Sequence, residues 1–140
     1  MITKSAERLA KVFKGYFDLI VLDAPCSGEG MFRKDPQSIE EWSPQNVENC
    51  WQLQRSIIAD IWDNLKAGGI LIYSTCTFNA HEDEENIAWI LNEYDAELLS
   101  VPTEEAWNIT GSLIDNPLKD GRKFPVYRFI PGKTRGEGIF

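Results

Sequence analysis

The sequence predicts an α/β domain built on a parallel sheet with helices on its faces, and three observations predict it. Residues 19–22, Leu-Ile-Val-Leu, form a continuous apolar run, the pattern of a strand buried on both faces. Residues 70–74, Ile-Leu-Ile-Tyr-Ser, repeat that pattern. Between them, apolar residues recur at three- and four-residue steps, which makes an amphipathic helix. Strand, helix and strand form a βαβ unit, whose crossover is right-handed and whose strands are parallel. Both strands therefore end at one edge of the sheet, and each runs into a cysteine, Cys26 and Cys76.

Composition narrows the class. With 140 residues, 43% of them hydrophobic, the chain is one globular domain or part of one. The net charge is −8 and the pI about 4.6, which argues against a self-sufficient nucleic-acid binder, because phosphate binding draws on clustered Lys and Arg. A polyanion would need basic surface from elsewhere. Cys26, Cys50 and Cys76 have neither metal-ligand spacing nor an even count, so no metal site and no disulfide framework are expected. A reduced, cytoplasmic setting fits, and there is no signal peptide and no apolar run of membrane-spanning length.

In chain order, Ser5 is positioned to cap a short helix over residues 5–14, with Leu9, Val12 and Phe13 at helical spacing and Gly15 ending it. The first strand follows and breaks into Asp23-Ala24-Pro25-Cys26-Ser27-Gly28-Glu29-Gly30, where proline stops the ladder and the glycines permit tight turns. Residues 31–42, polar and carrying Pro36, are expected to form an irregular loop in which Arg33 and Lys34 are the nearest positive charges. Ser43-Pro44 is a strong helix start. Val47, Cys50, Trp51, Gln54, Ile57, Ile58, Ile61, Trp62 and Leu65 mark the inner stripe of a long helix ending at Gly68-Gly69, with Cys50 a small buried hydrophobe on that stripe.

After the second strand, Asn79 and Glu82 have the spacing of a capping box, and residues 82–85 read as a solvated acidic helix start suited to the helix dipole. Ile87, Ile90, Leu91 and Tyr94 supply that helix's inner face. His81, the single histidine, falls on its polar first turn and is disfavoured as a catalytic base. Residues 96–101 are expected to form a third strand, Thr103 to Trp107 a short helix, residues 108–123 a loop and residues 126–130 a fourth strand. Residues 136–140 have the pattern of the start of a fifth.

Two cysteines at the ends of neighbouring parallel strands, one of them near an aspartate, are a candidate catalytic pair. Thiolate is the reactive form, and neither turn carries a histidine, so a Cys-His protease arrangement has no support. The sequences Asp23-Ala24-Pro25-Cys26-Ser27-Gly28-Glu29-Gly30-Met31-Phe32-Arg33-Lys34 and Tyr73-Ser74-Thr75-Cys76-Thr77-Phe78, followed by Glu82-Asp83-Glu84-Glu85-Asn86, closely resemble the two cysteine motifs of the Nol/Nop/Sun family of RNA 5-methylcytosine methyltransferases. The Gly-Glu-Gly-Met-Phe-Arg-Lys continuation is most similar to the bacterial ribosomal-RNA branch. Arg128-Phe129-Ile130-Pro131 and Gly136-Glu137-Gly138-Ile139-Phe140 are similar to the closing motif, without the histidine often found after that proline.

The resemblance implies a Rossmann-like, S-adenosylmethionine-dependent methyltransferase sheet and a set of roles. Cys76 would be the nucleophile that adds to carbon 6 of a flipped cytosine, and Cys26 would assist elimination. Asp23 would serve cofactor and base, with Ala24 and Pro25 beside it at the cofactor. Arg33 and Lys34 would be phosphate or loop contacts, and the partner would be RNA, ribosomal by branch. The family's glycine-rich cofactor loop and its upstream acids have no counterpart before Phe17. Residues 1–140 are therefore expected to be the carboxyl-terminal half of a methyltransferase catalytic domain, a partial Rossmann-like sheet that is inactive alone and able to self-associate through an exposed sheet edge. The alternatives are a non-catalytic α/β scaffold that retains the motifs and, last, a thiol-disulfide enzyme, for which no Cys-x-x-Cys spacing is present.

Overall fold

A computed structural model describes residues 6–118, 120–136 and 138–140. Strand β1 (Phe17–Asp23) and strand β2 (Leu65–Ser74) pair in parallel, joined by helices α2 (Pro36–Glu41) and α3 (Pro44–Trp62). Helix α1 (Ala6–Ala10) precedes them and α4 (Glu84–Glu93) follows. The register runs from Leu19 opposite Ile70 to Asp23 opposite Ser74, so the turns that carry Cys26 and Cys76 leave the sheet side by side.

Alternation along the strands sorts their side chains. Leu22, Leu71 and Tyr73 pack against a core of Ile58, Ile87, Ile90, Leu91, Leu118, Val126 and Phe140. Leu19, Val21, Ile70 and Ile72 point the other way and are exposed, Val21 by 63%. The expectation of strands buried on both faces is thus corrected. Among the described residues one face is covered and the other is bare apolar surface.

Several boundaries also move. The Ser5 cap lies outside the described residues, and α1 stops at Ala10, where the buried Asn64 amide donates to the Ala10 carbonyl at 3.2 Å. Residues 31–42, expected to be loop, contain α2 and the last residue of a 3-10 turn, Glu29–Met31. Pro36 starts that helix at its first position, and the Asp35 carboxylate caps it by accepting the Gln37 N–H at 3.0 Å. Helix α3 begins as expected, with Ser43 Oγ accepting the Asn46 N–H, but ends at Trp62. Gly68 and Gly69 lie inside β2. There the chain advances from Leu65 to Ile70 while β1 advances from Phe17 to Leu19, a bulge for which Gly68 takes φ +75°.

The later strands do not form as ladders. Residues 96–101 carry no strand, and 126–130 and 136–140 contribute only isolated bridges, Thr110 with Arg128 and Phe129 with Ile139, Glu137 lying outside the described residues. Phe140 nonetheless docks on the sheet end, its N–H donating to the Thr75 carbonyl at 3.0 Å. The short helix expected near Trp107 is a 3-10 turn, Glu105–Trp107.

Candidate active site

The two sulfur atoms of Cys26 and Cys76 lie 3.1 Å apart, and the Cys76 N–H points at the Cys26 sulfur at 3.3 Å. Both thiols are partly buried and unpaired by any disulfide. A hydrogen bond from Cys26 lowers the Cys76 pKa to about 7, against burial and the charge of Asp23, which push the other way. Sharing that proton pushes Cys26 up, and burial adds to the rise. The pair thus favours a thiolate on Cys76 beside a thiol on Cys26.

The turns are held from below by a carboxylate that the sequence placed in solvent. Glu82 is fully buried. Its carboxylate accepts the Ser27 N–H at 3.0 Å, the Gln54 amide at 2.7 Å and the Asn79 amide at 2.8 Å, so one buried anion ties the first cysteine turn, helix α3 and the second cysteine turn together. Gln54 also donates to the Pro25 carbonyl at 2.9 Å. Asn79 accepts the Glu82 N–H at 2.9 Å, one half of the expected capping box, but the Glu82 side chain turns inward and the reciprocal half is absent.

A second carboxylate, Glu29, accepts the Phe78 N–H at 2.8 Å and the Trp42 indole N–H at 3.0 Å. Gly30 donates to the Cys76 carbonyl at 2.7 Å, and a Cβ on Gly30 would meet that oxygen at 2.7 Å. Only glycine lets the two turns approach this closely. Ser27 and Thr77 join hydroxyls at 3.0 Å.

Residues 2–140 match the family described as 16S rRNA methyltransferase RsmB/F. The chain belongs to that family. It is 48% identical over 134 residues to ribosomal RNA small subunit methyltransferase F of Aliivibrio fischeri, covering 93% of this chain and 27% of that protein. The chain spans between 16 and 27% of the length of the curated relatives it matches. The crystal structure of PH0851 superimposes with a TM-score of 0.79 at 25% identity, over 99% of this chain and 29% of that one. NSun6 from Pyrococcus horikoshii, solved with SFG, superimposes with a TM-score of 0.62 at 24% identity, over 99% and 32% of the two chains. The fold is a partial Rossmann-like methyltransferase sheet, as the motifs implied.

In this RsmB/F family member the acidic run after the second cysteine is structural. Asp83 and Glu84 are, like Glu82, fully buried, and the expectation of a solvated acidic helix start is corrected for residues 82–84, whereas Glu85 is exposed as expected. Arg128, 1% exposed, enters between them. Its guanidinium forks onto Glu84, Nε to Oε1 at 2.9 Å and Nη2 to Oε2, while Nη1 reaches the Phe78 carbonyl at 3.2 Å. Nη1 also lies 3.0 Å from Asp83 Oδ2, off the hydrogen-bond direction. One guanidinium does not neutralise two buried carboxylates. Burial raises Glu84, but the Arg128 hydrogen bonds and the Leu113 N–H outweigh it and hold the group below its usual value. Asp83 is pushed up to about 8 by burial, against the hydrogen bond from Thr75 and the charge of Arg128. Burial thus biases Asp83 toward its protonated form, while Arg128 favours the charged form of Glu84.

The other predicted residues are placed as follows. Asp23 is exposed at the end of β1, Ala24 is buried and Pro25 is exposed. Arg33 donates to the Gly136 carbonyl at 3.3 Å, a loop contact, and Lys34 is exposed. Cys50 is half-buried on α3, its sulfur 4.0 Å from Asn46. His81 stacks on Trp51 at 4.7 Å and bonds Glu85 and Glu48, which makes it a link between α3 and α4. Glu82, Gln54, Glu29 and Arg128 were missed as site residues. One signal was present: Gln54 is a polar side chain on an otherwise apolar helical stripe, and such a residue needs a buried partner.

Proposed function

We propose that this chain supplies the catalytic rim of an enzyme that methylates carbon 5 of a cytosine in ribosomal RNA, with Cys76 as nucleophile and S-adenosylmethionine as methyl donor. The observation that carries the reading is the contact of the two sulfurs at the rim, with Cys76 biased toward thiolate. The names of the curated relatives support the ribosomal substrate, and SFG, an S-adenosylmethionine analogue, in NSun6 supports the cofactor.

The residues at the end of β1 fit a sulfonium cofactor. Asp23 presents an exposed carboxylate near Cys76, whose thiol feels its charge, and an anion is what a cationic group favours. The Ala24 N–H is engaged by the Ser74 carbonyl at 2.8 Å and the Pro25 carbonyl by Gln54, so these two residues serve as wall. Asp23, Ala24 and Pro25 would hold the cofactor, which supplies an electrophilic methyl group when bound.

Cytosine carbon 5 is too weak a nucleophile inside the intact ring. Addition of the Cys76 thiolate to carbon 6 forms an S–C bond and shifts the ring's 5,6 electron pair toward carbon 5, which divides one hard substitution into easier steps. The base must leave its stack to reach a thiol at a strand end. The Asp23 carboxyl, hydrogen-bonded to the cytosine edge, favours the protonated and more electrophilic ring. After the methylated carbon 5 loses its proton to water, those electrons restore the double bond and the S–C bond breaks. Cys26, held as a thiol, donates its hydrogen bond to the departing Cys76 sulfur.

The test compares the full gene product with Cys26→Ala and Cys76→Ser in reactions with small-subunit rRNA and S-adenosylmethionine. Cys26→Ala, which removes the donor, should accumulate a protein–RNA adduct that survives denaturation, and Cys76→Ser should form none and lose activity by at least about a thousandfold, as loss of a covalent nucleophile does. Adduct formation by Cys76→Ser would sink the assignment. We also infer that the 140 residues alone do not sustain methylation, because a two-stranded sheet presents only part of a Rossmann-like cofactor crevice.

A further inference from the structure

The chain is acidic, yet one stretch reverses the sign. Residues 121–136 hold Arg122, Lys123, Arg128, Lys133 and Arg135 and no acidic residue, in a chain of net charge −8. Arg128 is consumed in the core by Glu84, and Arg122 pairs with Asp120 at 2.7 Å. Lys133 and Arg135 instead line an open cleft of about 430 Å³, together with Trp107, Asn108 and Phe129, and among the described residues no carboxylate lines it. Trp107 is 50% and Phe129 38% exposed, so two flat aromatic side chains stand in solvent beside two cations. Asn108, at φ +52°, makes the left-handed turn that closes the 3-10 segment carrying Trp107.

The cleft is wired to the cysteine rim. Phe129 pairs with Ile139, its N–H donating at 2.8 Å, and the next residue, Phe140, hydrogen-bonds Thr75, the neighbour of Cys76. Gly138 reaches the same place, for its carbonyl lies 3.0 Å from a Cβ built on Gly30. A strand of nucleic acid whose target base enters the rim would have its neighbouring nucleotides close to this wall.

We propose that the Trp107–Phe129 cleft is a subsite for single-stranded substrate RNA, where an unpaired base flanking the target stacks on the aromatic pair and Lys133 and Arg135 neutralise its phosphates. The inference rests on the RNA-methyltransferase reading of the adjacent site. Stacking accepts any base, because every base has a π-face, and the two cations bind the backbone without reading sequence. The subsite therefore positions the strand while the cysteine rim selects cytosine.

The test is equilibrium binding of the full chain, at low salt, to cytosine-free oligouridylate and oligoadenylate. These probes need no cytosine at Cys76, and the loss of binding caused by the cleft variants reports on the cleft whether or not the adduct experiment succeeds. Trp107→Ala and the pair Lys133→Gln with Arg135→Gln should each weaken binding about tenfold, and Trp107→Phe should restore most of the loss by keeping a ring. The double charge variant should also flatten the log–log salt dependence by about 1.4, the contribution of two single-strand phosphate contacts. Lys66→Ala, a cation on the bulged end of β2, should bind as the parent does. The proposal is overturned if neither oligonucleotide binds, if the cleft variants bind as the parent does, or if an oligoglutamate peptide binds more tightly than the oligoribonucleotides.

Discussion

At the scale of single residues, the proton between Cys26 and Cys76 is the feature with the most direct chemical consequence. A thiol near its ordinary pKa of 9.0 is mostly protonated at neutral pH, whereas Cys76 is lowered to about 7 by the Cys26 hydrogen bond. The reactive thiolate exists above the pKa, so alkylation of Cys76 by iodoacetamide should rise through pH 7 and level off above pH 8. Cys26→Ala removes the donor, and burial and the Asp23 charge then act unopposed, so the midpoint should move up to pH 9 or beyond. An unchanged midpoint in Cys26→Ala would mean that something other than the thiol pair sets the titration. The cysteines were legible in the sequence because small, turn-forming residues follow apolar strands there. The carboxylates were not, because an acidic residue early in a helix usually faces water. Only the distant partners Ser27 and Gln54 for Glu82, and Arg128 for Glu84, make their burial affordable.

At the scale of elements, strand, crossover helix and strand were legible because their patterns are local, and Ser43-Pro44 fixed the start of α3. The failures share a cause. By local pattern Pro36 and Gly68-Gly69 are breakers, while the chain uses the proline to start a helix and the glycines to bulge a strand. Residues 96–101 and 126–130 are apolar enough for strands, but a ladder needs a neighbour, and pairing is not written in a local pattern. What joins these segments to the sheet is the close approach of turns. Gly30→Ala tests this. Its Cβ would stand 2.7 Å from the Cys76 carbonyl oxygen and 3.0 Å from that of Gly138, both backbone atoms. Relief requires the turns to separate and weakens the Gly30 to Cys76 hydrogen bond, a cost of about 1–3 kcal/mol. Melting should fall by several degrees. The Cys76 alkylation midpoint should rise toward that of Cys26→Ala as the sulfurs part. A variant that melts with the parent and alkylates with the parent's pH profile would show that the turns are not held by this contact.

At the scale of the molecule, the sheet is asymmetric, and the asymmetry follows from its register. Leu19 stands opposite Ile70 and Val21 opposite Ile72, so four apolar side chains, each 44–63% exposed, form one contiguous patch on the face away from the core. Among the described residues β1 and β2 are each also bare along one edge, since the sheet has only two strands. A patch of this kind is covered in a stable soluble structure or finds a partner. Charge opposes association only weakly, because the −8 is distributed around the chain and the one ion pair on these strands among the described residues, Asp18 with Lys66 at 2.7 Å, is neutral overall. The 140-residue chain in isolation should therefore self-associate. Light scattering should give a mass above 16.0 kDa that grows with concentration. Val21→Lys with Ile72→Glu places opposite charges across the pair in the centre of the patch, costs little because both positions face solvent, and should return the mass to the monomer with the far-ultraviolet circular dichroism unchanged. Were the parent chain monomeric at high concentration, the bare face would have no tendency to associate. Were the variant to remain associated, the bare strand edges rather than the face would be the adhesive surface.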